Sequence, residues 1–289
     1  MNIVSVQIYS ASHTPWDRSK IDFPIDLNTM WPGNGCGLCN QFFKLINTMC
    51  YVDNSQNDIY IDLFSKDIEV GDTTPISNIL DLDLMRNKHG LKIYDIVDLD
   101  YNLGYSIVTD PYVFRSYHNN RDLFTKNVKS LEFNEVLVNL AKKVIVNKGL
   151  NDRKVNLVHL RIDKDMENNI VRNYGGESKY IELLDSYRDY IYSKCDNSLP
   201  LVLLLEDIDH SFVKSLMEDY EVVFFEKKDI LEVDSEISGR EIFALVDLII
   251  GLNLDVNTFI GYEPSSFSVI LDTMNKYDNS YLFNCSFRH

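Results

Sequence analysis

Residues 155–163 read VNLVHLRID, and this stretch decides the fold. It opens with an apolar strand, Val155–Leu160, which is followed by the amphipathic segment Ser178–Lys194 and a second apolar strand, Pro200–Glu206. A strand, a helix and a strand in this order form a crossover unit, which joins two parallel strands. The alternation then continues with helices near Ser211–Tyr220, Ser238–Gly251 and Pro264–Lys276 and with strands Glu221–Phe225, Val256–Gly261 and Ser280–Asn284.

Five strands separated by four helices predict a parallel sheet with helices on both faces. Such a sheet forms a Rossmann-like domain, which we expect to span residues 151–289. The segment Asn147–Lys154 before it is mostly polar and contains a glycine, so it is the best candidate for a linker. Residues 1–150 then form a separate domain.

The first domain has a less regular pattern, with long loops between its predicted elements. A helix from Leu38 to about Tyr51 is predicted because its apolar residues recur every three or four positions. These are Leu38, Phe42, Leu45, Ile46 and Met49. The other predicted elements are the strands Ile3–Tyr9 and Ile59–Phe64 and a helix near Glu132–Lys148.

The charge of the chain limits its partners. Its 289 residues include 28 basic and 44 acidic side chains, which give a net charge of −16. A surface this negative repels nucleic acid phosphates and anionic lipids, so neither partner is expected. No stretch approaches the roughly 20 apolar residues that a membrane span needs. Five scattered cysteines do not resemble a disulfide framework, and a reducing cytosol is therefore the expected compartment.

A glycine-rich loop precedes the predicted Leu38 helix. Residues 33–41 read GNGCGLCNQ, and such a loop lets backbone N–H groups at a helix N-terminus approach a phosphate. Three glycines in five residues are equally consistent with a tight turn. Cys36 and Cys39 have the spacing of a zinc pair, but no second Cys or His pair stands at a matching distance. We therefore interpret both cysteines as packing residues and expect no metal.

A second cluster, residues 158–166, lies where the first strand of the second domain ends. Ligands of open α/β sheets bind at the carboxyl ends of strands. Arg161 offers a planar fork of donors that suits a diphosphate leaving group. The alternative is a structural salt bridge from Arg161 to Asp163 or Asp165. His159 alternates with apolar neighbours, which favours a buried, hydrogen-bonded histidine over a catalytic base.

A third cluster combines a helix and the turn that follows the next strand. Ser238 and Glu241 have capping-box spacing, which sets the start of that helix. Asp247 lies within its apolar part, where an unpaired carboxylate is costly, so it needs a donor from a nucleobase or from an arginine. Ser265 and Ser266 follow Pro264 at a new helix N-terminus. They are candidates for an anion site or for simple N-caps.

Taken in order, three motifs resemble the GDP-fucose O-fucosyltransferase superfamily. They are Gly-x-Gly-x-Gly-x-x-Asn-Gln at residues 33–41, His-Leu-Arg-x-Asp-x-Asp-Met at 159–166, and Asp-x-x-x-Phe-Ile-Gly with Ser-Ser-Phe-Ser at 255–268. The resemblance implies an α/β fold of the GT-B type, with two Rossmann-like domains facing a central cleft. It further implies sugar transfer with inversion, no metal cofactor, a nucleotide-sugar donor held mainly by residues 151–289, and a glycan or glycoprotein acceptor on the side of residues 1–150.

The resemblance also assigns roles to individual residues. Arg161 is expected to neutralise the β-phosphate, and Asn40 to lie near the phosphates or the transferred sugar. Asp247 is expected to hold the base or the ribose. Ser265, Ser266 and Phe267 are expected to surround the diphosphate and the base. Further donor-binding candidates are Gly35, Gly37 and His159.

Inversion requires either a general base or an acceptor that is positioned well enough for the phosphate to help, and two carboxylates are candidates for the base. Asp163 lies beside Arg161 but could instead form an ion pair with it. Asp72, in the predicted loop at residues 71–75, belongs to the domain expected to hold the acceptor, and we prefer it.

The chain departs from the family pattern at two places in the third motif. Asn257 and Thr258 stand between Asp255-Val256 and Phe259, and Tyr262 replaces the usual asparagine. We expect both changes to fall where donor and acceptor selectivity are set, so UDP-xylose or GDP-rhamnose are rival donors to GDP-fucose. A nucleotide- or carbohydrate-binding module without transfer activity is a second alternative. With no signal-anchor evident, a cytoplasmic enzyme of viral or bacterial origin is expected.

Overall fold

The computed structural model of the protein describes residues 37–51, 58–61, 64–67, 72–95, 98, 115–173, 176–275, 277 and 279–285. The chain divides into two compact units. The first comprises residues 1–139 and 237–246, and the second comprises residues 140–236 and 247–289. The predicted strand Ile3–Tyr9 and most of the glycine loop, including Gly35, lie outside the described residues. That residues 1–150 and 151–289 form separate domains stays a prediction.

The first half of the chain contains short strands and mostly short helices. Its helices are α1 (Leu38–Tyr51), α2 (Leu82–His89), α3 (Arg115–Asn119), α4 (Arg121–Val128) and α5 (Glu135–Asn147), and a 3-10 turn at Ile76–Asn78 precedes α2. Its strands are β1 (Ile59–Ile61), β2 (Phe64–Asp67), β3 (Asp72–Thr74) and β4 (Ile93–Asp95).

The predicted amphipathic helix of this half is confirmed. Its bounds are those of α1, and all five apolar residues used to predict it are buried. They are Leu38, Phe42, Leu45, Ile46 and Met49. Because these side chains recur at the helical period, they form one stripe that packs away from water, and burial of this stripe stabilises the helix far more than its intrinsic propensity does.

The strands of the first half differ from the prediction. The predicted strand Ile59–Phe64 is divided, because β1 pairs with β4 in parallel whereas Phe64 begins β2, which pairs with β3 in an antiparallel hairpin. The predicted loop at residues 71–75 is also partly wrong, since residues 72–74 are β3. Three-residue strands are too short to show an alternating pattern, so the sequence carries little signal for them.

The second half of the chain alternates between strands and helices. Its strands are β5 (Lys154–His159), β6 (Leu201–Leu204), β7 (Val222–Phe224), β8 (Asp255–Tyr262) and β9 (Asn279–Phe283). Its helices are α6 (Lys164–Asn173), α7 (Glu177–Lys194), α8 (Ser211–Leu216), α9 (Lys227–Leu231), α10 (Arg240–Asn253) and α11 (Ser266–Met274).

The five strands form one parallel sheet in the order β7-β6-β5-β8-β9. This confirms the predicted Rossmann-like sheet. The strand order reverses between β5 and β8, so their carboxyl ends flank the switch point at which doubly wound sheets bind ligands. The prediction missed α6 and α9, because both are short and most of their residues are polar.

The core of the second unit lies between this sheet and its helices. One buried apolar cluster joins α7, through Leu183, Tyr187 and Ile191, to the centre of β6 at Leu201 and Leu203. Branched aliphatic side chains in adjacent parallel strands are buried on both faces of such a sheet. This rigid layer fixes the position of the loops that follow β5 and β8.

Gly251 brings α10 close to the sheet. A β-carbon at this position would lie 2.9 Å from Leu271, 3.2 Å from Leu204 and 3.5 Å from Leu157. Only glycine permits this approach without a shift of its neighbours. Helix α10 is followed directly by β8, so the helix and the strand run in opposite directions. Asp247, one helical turn before Gly251, therefore lies nearer to the carboxyl edge of the sheet than Gly251 does.

Candidate functional site

The carboxyl end of β5 presents Arg161 in a fixed orientation. The strand ends at His159, and Asp163 then caps α6, since its Oδ1 accepts a hydrogen bond of 3.0 Å from the backbone N–H of Met166. The other oxygen of Asp163, Oδ2, lies 3.0 Å from Nη1 of Arg161. This is the ion pair that the sequence left open as an alternative. The Arg161 side chain is still 33% exposed, so it remains partly accessible to solvent.

His159 lies beside the first turn of α11. Its Nδ1 is 2.7 Å from Oγ of Ser268, and its ring stacks on Phe267 with centroids 4.4 Å apart. Oγ of Ser268 also accepts a hydrogen bond of 3.1 Å from the backbone N–H of Tyr262. Within the described residues, the only acceptor in reach of the Ser268 hydroxyl proton is Nδ1 of His159, so the hydroxyl group donates to this nitrogen. This assigns the ring proton of His159 to Nε2.

His159 therefore acts as a neutral donor rather than as a base. Burial, reinforced by the positive charge of Arg161, lowers the pKa of His159 to about 3. The ring is uncharged throughout the neutral pH range, and its Nε2–H is the polar group that remains to interact with a ligand. The predicted buried, hydrogen-bonded histidine is confirmed by its burial and by its contact with Ser268.

The turn between β8 and α11 is built around Gly261. A β-carbon at Gly261 would lie 2.8 Å from both Cβ and Oγ of Ser268, so this close packing depends on glycine. Ser265 occupies the N-cap position of α11, but its side chain makes no capping hydrogen bond. Ser266 and Phe267 form the first turn of the helix. Ser265 is thus the N-cap residue of α11, as the alternative interpretation expected, but its hydroxyl group does not cap the helix.

Asp247 has a carboxylate that is poorly solvated. Its Oδ1 is inaccessible to solvent and has no hydrogen-bond partner among the described residues. Burial raises the pKa of Asp247 to about 8. No arginine of the described ranges satisfies this group, which favours the alternative in which a ligand supplies the donor.

The start of α1 has a different partner from the one expected. The backbone N–H of Leu38 donates a short hydrogen bond to Oε2 of Glu241, a buried carboxylate. A β-carbon at Gly37 would lie 3.8 Å from the same oxygen. A helix N-terminus stabilises an anion, and here an anion of the protein itself takes that place. Glu241 would compete with a phosphate for this N–H, and the donor-binding roles of Gly35 and Gly37 stay predictions.

Asn40 and Asp72 lie in the first unit. Asn40 is in the first turn of α1, half-buried, and its backbone N–H donates to the carbonyl oxygen of Gly37 at 3.0 Å. Asp72 begins β3, where its carboxylate is 48% exposed and lies 2.8 Å from Nζ of Lys66 across the hairpin. The roles of both residues stay predictions. The second unit brings together His159, Arg161, Asp163, Ser265, Ser266 and Phe267.

The extra residues of the third motif lie away from this edge. Val155 pairs with Val256 and Asn156 with Thr258, so Asn257 forms a bulge near the amino end of β8. The expectation that Asn257 and Thr258 lie where donor selectivity is set is therefore wrong, because the ligand edge of a parallel sheet is its carboxyl end. Tyr262, the other departure, does lie at that end.

Fold and site together define a doubly wound α/β protein with polar side chains at its switch point. No protein-family model and no curated protein matches the sequence. Solved structures do match. A crystal structure of POFUT1 in complex with GDP aligns with a TM-score of 0.53 at 11% identity, and the alignment covers 86% of this chain and 96% of that chain.

Further crystal structures of POFUT1 give the same result. A complex with GDP-fucose aligns with a TM-score of 0.51 at 10% identity and covers 84% of this chain and 93% of that chain, as does the apo form. At this level of identity the likeness concerns the fold. It confirms the predicted fold class, α/β of the GT-B type.

Two general properties complete the description. Among the helices of the described ranges, none is both long and apolar enough to cross a membrane. The same ranges contain no group of three His, Cys, Asp or Glu side chains arranged to hold a metal ion.

Sequence reasoning missed several residues that build the site. Ser268, Gly261 and Tyr187 were not singled out, although each supports His159 or the backbone of Arg161. A signal existed for Tyr180 and Tyr187, since seven residues separate them and they therefore share one face of a helix. The Ser-Ser-Phe-Ser motif likewise contains Ser268.

Proposed function

We propose that this chain is a glycosyltransferase that moves a sugar, most simply fucose from GDP-fucose, to a hydroxyl group of a glycan or protein. Transfer proceeds with inversion and without a metal. The observation on which the proposal rests is that Arg161 and the neutral donor His159 both lie at the carboxyl end of β5, at the switch point of the sheet. The likeness in fold to POFUT1, whose structures hold GDP and GDP-fucose, supports a guanine nucleotide as the ligand.

Arg161 neutralises the charge of the leaving diphosphate. Asp163 holds one nitrogen of the guanidinium, which leaves the remaining donors to form paired hydrogen bonds to phosphate oxygens. Negative charge builds up on the diphosphate as the glycosidic bond breaks, so a cation held beside it stabilises the transition state more than the ground state. The Nε2–H of His159 adds a second donor without adding a second positive charge.

Asp247 selects the base in this scheme. Guanine presents two adjacent donors, N1–H and the N2 amino group, which match the two oxygens of an ionised carboxylate, so binding of guanine would favour the ionised form of Asp247 and lower its raised pKa. Uracil presents one N–H flanked by two carbonyl oxygens, which a carboxylate repels. The partner-free Oδ1 of Asp247 supports a guanine nucleotide over a uridine nucleotide. A hydrogen bond to the ribose would not discriminate between the two.

The proposed general base is Asp72. Both oxygens of Asp163 already have partners, namely the Met166 N–H and Arg161, which suits Asp163 to holding the arginine. Asp72 is more exposed and can take a proton from an acceptor hydroxyl. Asp72→Asn is expected to lower kcat at least about tenfold with unchanged donor affinity. Full activity of that variant would leave Asp163 as the remaining candidate of the two.

Calorimetric titration with GDP, UDP and GDP-fucose tests the proposal. We expect GDP and GDP-fucose to bind, and binding to persist in EDTA. Arg161→Ala is expected to weaken GDP about 100-fold, because a charge-assisted bidentate contact is lost. Arg188→Ala is the matched control, since Arg188 pairs with Asp185 on the surface of α7 and should leave the affinity unchanged.

The outcomes separate the alternatives. Binding of UDP alone would keep the mechanism and move the donor to a UDP-sugar such as UDP-xylose, and binding of no nucleotide would overturn the proposal. Slow hydrolysis of GDP-fucose without an acceptor distinguishes a transferase from a binding module, which would bind the donor and leave it intact.

A further inference from the structure

We propose that Tyr180 and Tyr187 of α7 are positioning residues that hold the backbone of Arg161 in place for the diphosphate. This inference rests on the proposed function. The two hydroxyl groups contact the segment 159–162 at three points, and no sequence motif of the site includes either tyrosine.

Tyr187 bridges the two residues on either side of Leu160. Its hydroxyl donates a hydrogen bond of 2.9 Å to the carbonyl oxygen of His159 and accepts one of 3.0 Å from the backbone N–H of Arg161. The side chain is fully buried, and burial raises the pKa of Tyr187, so the hydroxyl remains protonated and keeps its donor role. The strand end and the first loop residue are thus tied to one rigid side chain.

Tyr180 holds the next peptide group. Its hydroxyl donates a hydrogen bond of 2.7 Å to the carbonyl oxygen of Ile162, and burial raises the pKa of Tyr180 to about 12. The same hydroxyl lies 3.3 Å from Nε2 of His210. Nδ1 of His210 accepts the backbone N–H of Phe212, so the proton of the neutral ring is on Nε2 and points to Tyr180.

The helix that carries both tyrosines is itself anchored to the sheet. Nδ2 of Asn156 in β5 donates a hydrogen bond of 2.8 Å to the carbonyl oxygen of Asp196, just after α7. Oγ1 of Thr258 in β8 donates one of 3.4 Å to the carbonyl oxygen of Lys194, the last residue of α7. A helix fixed in this way cannot follow a displaced loop, so the tyrosines hold Arg161 in advance of binding.

Preorganisation of this kind raises affinity because less conformational freedom is lost on binding. Removal of the Tyr187 hydroxyl frees the Arg161 N–H and the His159 carbonyl oxygen together. The loop then samples other conformations, and Arg161 loses its alignment with the diphosphate. The effect must therefore appear for ligands that carry phosphate and must depend on the Arg161 side chain.

The test compares Tyr187→Phe with Tyr220→Phe by calorimetric titration. Both changes remove one buried hydroxyl that contacts a backbone carbonyl, but Tyr220 contacts α7 itself rather than the Arg161 segment. We expect Tyr187→Phe to weaken GDP about five- to thirtyfold, which corresponds to roughly 1–2 kcal/mol. Guanosine, which lacks phosphate, should bind the variant as it binds the unchanged chain, and Tyr220→Phe should change GDP affinity less than about twofold.

A double-mutant cycle completes the test. In an Arg161→Ala background, Tyr187→Phe should cause no further loss of GDP affinity, because the hydroxyl acts through that side chain. Equal losses for Tyr187→Phe and Tyr220→Phe, equal losses for GDP and guanosine, or additivity with Arg161→Ala would overturn the inference alone. If the unchanged chain binds no nucleoside diphosphate, the proposed function fails and the inference fails with it. Tyr180→Phe serves as the second variant if Tyr187→Phe does not fold.

Discussion

The N-termini of α1 and α11 follow similar stretches of sequence but have different partners. Small residues precede both helices in the sequence, glycines before α1 and Ser265 before α11. At α1 the N–H of Leu38 donates to the carboxylate of Glu241. At α11 the Ser265 side chain makes no capping hydrogen bond, and the first turn contacts His159 through Phe267 and Ser268.

This difference shows which of the two helix starts can serve a ligand. A carboxylate at α1 satisfies the helix dipole from within the protein and repels a further anion. At α11 the neighbouring groups are a neutral imidazole donor and, two residues beyond it, an arginine. The local sequence predicts an anion at both places, and the charge of the tertiary neighbour decides whether that anion is internal or bound.

The strongest test of the α11 side is Gly261→Ala. The new methyl group would meet Ser268 at 2.8 Å, so either α11 or β8 must shift and the contact between Ser268 and His159 is lost. We expect a loss of about 3 kcal/mol in the free energy of unfolding, at the upper end for an overpacked core, together with weaker GDP binding. Urea unfolding and titration with GDP measure the two effects. Unchanged values for both would show that the turn can relax without cost.

The corresponding test at α1 is Glu241→Ala. It removes a buried charged partner of a helix N-terminus, and we expect a loss of about 2 kcal/mol in the free energy of unfolding, with GDP affinity unchanged. Glu241→Gln keeps the shape without the charge and should lose less. A variant that bound GDP more tightly than the unchanged chain would break the comparison, because the start of α1 would then be an anion site for which Glu241 competes.

Asp247→Asn tests whether the buried carboxyl group without a hydrogen-bond partner binds a ligand. The pKa of Asp247 is raised from its ordinary value near 3.8 to about 8, so the folded state holds a proton that the unfolded chain releases. The carboxyl group therefore makes the free energy of unfolding fall as pH rises from about 4 to about 8. The asparagine variant lacks this dependence and should be about 1 kcal/mol more stable at pH 8, yet bind GDP about tenfold more weakly.

Urea unfolding at pH 5 and pH 8 measures this slope, and calorimetry measures the affinity. A variant with the same pH dependence as the unchanged chain would show that Asp247 is ionised in the folded protein. A variant with full GDP affinity would remove Asp247 from the proposed site.

The smallest expected effect is that of Ser265→Ala. Because the Ser265 hydroxyl makes no capping bond, its removal should change the free energy of unfolding by less than about 0.5 kcal/mol. Asp81→Ala is the control, since Asp81 caps α2 through a hydrogen bond of 2.8 Å to the N–H of Leu84, and it should cost about 1 kcal/mol. Thermal unfolding of both variants tests the pair. An equal loss at both positions would show that Ser265 caps α11 in solution.

The sequence by itself determined the five-stranded parallel sheet of the second half and the motif that follows its first strand. The apolar period is long and regular there, so strands and helices follow from local burial alone, and the His159–Asp163 motif lies where a strand must end. Strands β1 to β4 are too short for such a pattern, and helices α6 and α9 are short and mostly polar. The sequence therefore predicted β1 and the first residue of β2 as one strand and did not reveal the other elements.

Only the tertiary structure decided what each candidate residue contacts. Glu241 is 203 residues from Leu38, Ser268 is 109 residues from His159, and Tyr187 is 26 residues from Arg161. Hydrogen bonds and charges act over a few ångströms, so the electrostatic environment of a group depends on which distant segments fold against it. Residue type and spacing predict the chemistry that a position can perform. The neighbours supplied by the fold decide which proton, charge or open donor is present there.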